Sequence, residues 1–143
     1  MSKSVKINEE FDSAVLNIAI DTIKIGKQAI VFVNTKKSAE KTAEDISKKL
    51  KKDETLSEIA DDALNALSRP TKQCERLSYC LQKGIAFHHA GLTQKQKDII
   101  EDNFRKGSVK IICCTPTLAY GVDLPAFRAI IKDLKRFTVH GLS

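Results

Sequence analysis

Apolar residues recur along this chain in two rhythms, one helical and one suited to buried strands. Phe11, Ala14, Val15, Ile18, Ala19, Thr22 and Ile23 fall at helical spacing. They predict a helix over 8–25, capped by Asn8, with Glu9 and Glu10 in the first turn and Gly26 as its stop. Residues 28–33 then read Ala-Ile-Val-Phe-Val after a glutamine, the pattern of a strand covered on both faces, as in a parallel sheet. A polar turn over 34–38 leads to a second helix with Ala39, Ala43, Ile46 and Leu50 inward and its other face mostly charged. Leu56, Ile59, Ala60, Ala63, Leu64 and Leu67 form the strongest helical stripe, predicting a helix over 53–67 that Arg69-Pro70 ends. A further helix over 71–83 carries Cys74, Leu77 and Leu81 on one side, and Gly84 closes it. These two helices lengthen one strand-to-strand crossover and read as packing, with no chemistry of their own.

A second short strand is predicted over 85–88. Thr93 then opens another helix, with Gln96 where a capping box needs it, Ile99, Ile100 and Phe104 inward, and Gly107 at its end. The β-branched run 109–114 predicts a third strand, and 128–134, centred on Ala129-Ile130-Ile131, a fourth. The residues after it carry no clear signal. Strands alternate with helices throughout, so the fold class is α/β, an open, mainly parallel sheet flanked by helices. At 143 residues the chain is read as one domain, 1–143, with room for a core.

Composition changes this picture little. Hydrophobic content of 42% and charged content of 29% are those of an ordinary globular domain. No apolar stretch is long enough to cross a bilayer and the N-terminus lacks a secretory pattern, so a cytoplasmic protein without a membrane partner is expected. The net charge of +6 favours a polyanionic partner if the charge clusters. Cys74, Cys80, Cys113 and Cys114 form no CxxC pair, and their spacing with His88 and His89 matches none of the usual zinc patterns. They are read as reduced core cysteines, and no metal site is assigned.

Candidate chemistry gathers in three loops, each following a strand. In an open α/β sheet, ligands bind at the carboxyl ends of the strands. After the first strand, Asn34 and Thr35 either cap the next helix or contact a phosphate with help from Lys36 and Lys37; the two are compatible, since a capped helix N-terminus also attracts anions. After the second strand, His88-His89-Ala90-Gly91-Leu92 leaves three readings open: a metal ligand, a buried hydrogen-bonded histidine, or a histidine or its neighbouring backbone against a phosphate. After the third, Thr115 and Thr117 offer hydroxyls, Pro116 suits the start of a helical turn, Gly121 allows close backbone approach and Asp123 offers a carboxylate.

Together these loops resemble the second RecA-like domain of superfamily 2 helicases, in particular the Ski-type branch and its archaeal Hjm-type DNA repair helicases. Ala29-Ile-Val-Phe-Val-Asn-Thr-Lys-Lys-Ser-Ala-Glu-Lys-Thr-Ala is similar to that group's motif IV, Ala86-Phe-His-His-Ala-Gly-Leu to motif IVa, and Thr115-Pro-Thr-Leu-Ala-Tyr-Gly-Val-Asp-Leu-Pro-Ala to motif V. The resemblance runs from about Gly26 to Phe137. It implies a motor domain of an ATP-dependent helicase, with DNA and 3′ to 5′ travel favoured. Gly121 and Asp123 would face the ATP cleft, while Asn34, Thr35, Lys36, His89, Gly91, Thr115 and Thr117 would hold strand phosphates. ATP and Mg2+ would be bound by the N-terminal RecA-like domain of the same protein. The sequence holds no Gly-x-x-x-x-Gly-Lys-Ser/Thr loop, no Asp-Glu-x-His box and no Gln-x-x-Gly-Arg-x-Gly-Arg motif. The expectation is therefore a helicase C-terminal domain stopping before the arginine finger and inactive by itself. The same fold serving as a non-catalytic nucleic-acid or protein-interaction module is the alternative. A small phosphate-ester enzyme is a distant third, there being no carboxylate pair or nucleophile–base set.

Overall fold

The computed structural model describes residues 3–116, 124, 126–132 and 137–141. In chain order the elements are α1 (Lys3–Lys24), β1 (Ala29–Phe32), α2 (Lys36–Ser47), a 3-10 turn (Glu54–Leu56), α3 (Ser57–Leu64), α4 (Lys72–Leu81), β2 (Ile85–His88), α5 (Gln94–Arg105), β3 (Ile111–Cys114), β4 (Arg128–Lys132) and β5 (Phe137–Gly141). The strands form one sheet in the order β2-β3-β1-β4-β5. The first four are mutually parallel and β5 pairs antiparallel with β4. The architecture is the α/β, mainly parallel sheet that the apolar runs predict.

Every residue of β2 and β3 is buried. Successive side chains of a strand point to opposite faces, so both faces are covered. That is why these strands are continuous apolar runs instead of alternating ones. The α2 helix packs on β2 and β3 with α1 and α4 beside it, and α5 packs against α3 and β2. Phe87, Phe104, Leu77, Ile100 and Ile111 are fully buried in the core between them. Truncating Phe104 to alanine would cost about 3–5 kcal/mol, transfer and cavity terms together.

Polar side chains fix how the helices meet. Thr93 and Gln96 form the expected capping box at the start of α5. Gln96 is fully buried, and its amide also donates to the Ala63 carbonyl at 3.0 Å and to Cys74 Sγ at 3.3 Å. One side chain thus caps α5 and ties it to α3 and α4. Lys83 donates to the carbonyls of Ser47 and Leu50 at 3.1 and 2.8 Å, satisfying the end of α2. The turn that brings it there ends at Gly84, whose φ of +79° is strained for any residue with a Cβ.

Several boundaries differ from those the periodicity predicts. Asn8 does not cap α1, which already runs from Lys3; a capping side chain favours a start but does not bar good helix formers upstream of it. The stripe over 53–67 splits. Asp53 accepts from Thr55 N–H and Oγ1–H, which tightens the first turn to 3-10. The α3 helix stops at Leu64, before Asn65 and Ser68, and Leu67 is left exposed. The β5 strand, unassigned from sequence, pairs among the described residues with β4 alone and carries no continuous apolar run. Among the described residues no helix is long and apolar enough to cross a membrane.

Candidate nucleic-acid interface

Strand register brings the three loops together. Phe32, Cys114 and His88 are Cα partners across β1, β3 and β2, so three adjacent parallel strands end at one level. The loops that leave them begin side by side over about 10 Å, two strand spacings. Val33 N–H donates to the Cys114 carbonyl at 2.8 Å, extending the β1–β3 ladder to the edge of the sheet.

In the first loop Asn34, Thr35, Lys36 and Lys37 are all exposed. Thr35 is the N-cap of α2, its hydroxyl oxygen accepting from Ser38 N–H at 3.0 Å. A hydroxyl that accepts there still has its own proton to donate. The capping role read from sequence is therefore the observed one, and it leaves the turn with a donor, two ammonium groups and a helix N-terminus facing solvent.

The second loop is wound around His89. The ring is buried and stacks on Phe87 with centroids 5.7 Å apart. Its Nδ1 faces the Gly91 N–H at 2.9 Å and so must accept; the proton then sits on Nε2, which donates to Glu40 Oε2 at 2.7 Å. His88 is also buried and meets Glu101 Oε2 at 2.7 Å. Of the three readings of this pair, both rings take the buried, hydrogen-bonded one, each with its own carboxylate. Burial holds the His88 pKa below its usual 6.5 despite the opposing pull of Glu101. Ala90 and Gly91 form the exposed tip. A Cβ on Gly91 would lie 2.9 and 3.0 Å from the His89 ring, so the turn closes only around a glycine.

In the third loop Thr115 directly follows β3 and is half-buried, and Pro116 is exposed. Thr117, Gly121 and Asp123 lie outside the described residues.

Glu40, Gln73 and Arg76, which the sequence reading assigned no role, stand behind the first two loops. Glu40 Oε2 accepts from Gln73 at 3.0 Å as well as from His89, and its Oε1 accepts from Arg76 Nη1 at 2.5 Å. Arg76 turns its Nε to Glu44 at 2.7 Å, with Nη2 on the same carboxylate oxygen. Burial alone would raise the Glu40 pKa, but the hydrogen bonds from Gln73 and His89 and the charge of Arg76 outweigh it and hold the carboxyl below its usual 4.5. A buried carboxylate is costly unless paired, and this one has three donors. All four cysteines are free and buried, as read from the sequence. Among the described residues no cluster of three or more His, Cys, Asp or Glu side chains could hold a metal ion.

The helicase conserved C-terminal domain model matches residues 65–136, half of the chain. The chain is 44% identical over 140 residues to an ATP-dependent DNA helicase Hel308 of Methanocella arvoryzae, covering 94% of this chain and 19% of the relative. It is 40% identical over 130 residues to the Hel308 of Methanococcus vannielii, covering 88% and 17%, and 43% identical over 128 residues to that of Pyrococcus abyssi, covering 87% and 18%. The chain thus spans less than a fifth of the length of these relatives. With a mainly parallel sheet from one edge of which the motif-bearing loops set out, this chain belongs to the helicase conserved C-terminal domain family.

Proposed function

We propose that this chain is the strand-gripping half of an ATP-dependent DNA helicase motor. The observation that carries the reading is the common level at which β2, β3 and β1 end, which gathers three polar loops at one sheet edge. The relatives named as DNA helicases support DNA as the substrate. Travel from 3′ to 5′ and a cytoplasmic site of action rest on the family resemblance and the sequence pattern.

In this reading Asn34, Thr35, Lys36, Thr115 and Thr117 contact phosphates, with the exposed backbone beside Gly91 completing the row. His89 acts from behind by holding that turn. Phosphate contacts position a strand without reading its sequence, which suits a translocating motor. Asp123 would repel a phosphodiester, so with Gly121 it is assigned to the nucleotide cleft, accepting from a ribose hydroxyl or pairing with a cation across the cleft. ATP and Mg2+ belong to the N-terminal RecA-like partner domain, whose phosphate loop this sequence lacks. Nucleotide binding and hydrolysis supply the closure and opening of the two domains, which moves the two grips along the strand.

The test is single-stranded oligothymidylate binding to the chain across a salt series. Weak, salt-sensitive binding is expected, and Lys36→Ala should lower the slope of log K against log salt by about 0.7, one phosphate contact. The chain alone should show only background ATP hydrolysis, since phosphoryl transfer without a phosphate cradle or arginine finger forgoes about 10³–10⁵ in rate from the finger alone. No binding at low salt, or binding indifferent to salt and to Lys36, would overturn the reading in favour of a protein-interaction module.

A further inference from the structure

The α4 helix lies in the crossover between β1 and β2 and reads from sequence as packing. Two of its side chains, Gln73 and Arg76, nonetheless converge on Glu40 of α2, and through Glu40 on His89. Glu40 stands one turn into the helix whose N-terminus carries Thr35 and Lys36. His89 sets the turn that exposes Ala90 and Gly91. One carboxylate therefore joins the first grip loop to the second, and α4 supplies the charge and the amide that hold it in place.

We infer that Glu40 is a positioning residue for strand binding, fixing the loop at 34–37 and the turn at 89–92 relative to each other, with Arg76 and Gln73 as its brace. This rests on the proposed reading of these loops as a phosphate-contacting edge. Three features favour positioning over packing alone. His89 Nε2–H has an acceptor in Glu40, and without it a proton on a buried ring would lose its partner. The ring is held on one side by the Phe87 stack and on the other by the Gly91 turn, with Cβ-forbidding clearance, so a displaced ring must move the turn. Arg76 also grips Glu44, one turn further along α2, so α4 is fixed to that helix at two successive turns. Loops that must hold phosphates at fixed separation need such a rigid support.

The experiment compares Glu40→Ala, Glu40→Gln and Glu44→Ala with the unaltered chain. Gly91 amide exchange and the His89 ring nitrogens are followed by NMR, oligothymidylate affinity by titration, and melting temperature as control. In the unaltered chain the Gly91 amide should be protected and His89 should be the Nε2–H tautomer. Glu40→Ala should abolish the protection and weaken oligothymidylate binding about tenfold. Glu40→Gln keeps an acceptor for His89 and should restore both readouts to within about threefold of the unaltered chain, even where its melting temperature stays low. Glu44→Ala, which leaves the Glu40–His89 contact in place, should do neither harm. Affinity that follows melting temperature across the three variants, or that Glu40→Ala leaves unchanged while the unaltered chain binds, overturns the positioning role alone. Failure of the unaltered chain to bind overturns the strand-gripping reading and this inference with it, whatever the NMR of the turn shows.

Discussion

Glu40 and His89, 49 positions apart, meet at 2.7 Å through a carboxylate that α2 buries and an imidazole whose other nitrogen accepts from Gly91 N–H. The contact turns a flexible-looking Gly-containing loop into a fixed one, because the ring can neither rotate nor withdraw without losing a hydrogen bond on each side. It also fixes the ring's orientation: Nδ1 accepts from the Gly91 amide and Nε2 is the nitrogen turned to Glu40.

Gly91→Ala should therefore be costly although the position is exposed. The added methyl would sit 2.9 Å from His89 Cε1 and 3.0 Å from Nδ1, and the ring has no room to yield. Overpacking of this kind costs about 1–3 kcal/mol. Urea unfolding should show that loss, and the alanine variant should also lose the Nδ1-to-amide hydrogen bond. Ala90→Ser, its exposed neighbour, should change stability by no more than about 0.5 kcal/mol. Equal stability for Gly91→Ala and the unaltered chain would mean the turn opens without cost.

Much of this fold is legible in the sequence because buried parallel strands and amphipathic helices write themselves as apolar runs and stripes. Ile111-Ile112-Cys113-Cys114 is such a run, and Thr93 with Gln96 is a local signal for a local structure. Glu40 is not legible in that way. A glutamate in α2 reads as part of the charged outer face, and what buries it comes from residues 33 and 49 positions away. A partial signal exists: Glu40, Ala43 and Ser47 follow helical spacing and all three are buried, so Glu40 borders the inward arc. The β5 strand, Phe-Thr-Val-His-Gly, writes neither a continuous apolar run nor a flanking turn signal, so nothing in the pattern announces it. The assignments at Thr117, Gly121 and Asp123 fall on residues outside those described, so one phosphate contact and the ATP-cleft pair stand on the motif alone.

Three of the four buried cysteines, Cys80, Cys113 and Cys114, should be chemically silent in the folded chain. Burial pushes the Cys80 thiol up to about 12, and Cys113 and Cys114 well above their usual 9.0. At pH 8 a thiol of pKa 12 is thiolate in about one molecule in ten thousand, and the thiolate is the nucleophile. Cys74 differs: burial raises its pKa, but hydrogen bonds from Thr71 and Gln96 outweigh that and leave it lowered. Iodoacetamide followed by peptide mass mapping should label Cys74 first in the folded chain, with all four labelled in guanidinium. Labelling of Cys113 or Cys114 ahead of Cys74 would show that β3 opens more readily than the start of α4.

Stability should fall on mild acidification, and two buried groups set where. His88 has a folded pKa below 6.5, so just beneath that pH the unfolded chain takes up a proton that the folded chain refuses. Stability then rises with pH and is lost as pH falls from about 6.5 towards the folded value, at up to about 1.4 kcal/mol per pH unit for one proton. Glu40 has a folded pKa below 4.5, so its contribution is present above 4.5 and is lost as pH falls through the folded value. The signs agree, so the two losses follow one another on the acid side. Lys97 and His89 near His88 act with burial in opposing its protonation, while Glu101 acts against them and does not prevail. Urea midpoints measured on acidification from pH 7.5 should decline in two stages, the first beginning below about 6.5 and the second below about 4.5, and His88→Gln, which keeps a donor for Glu101, should flatten the first while leaving the second. A midpoint that rises as pH falls from 7 to 6 would require a folded-state His88 pKa above 6.5, with Glu101 and not burial in control of the ring.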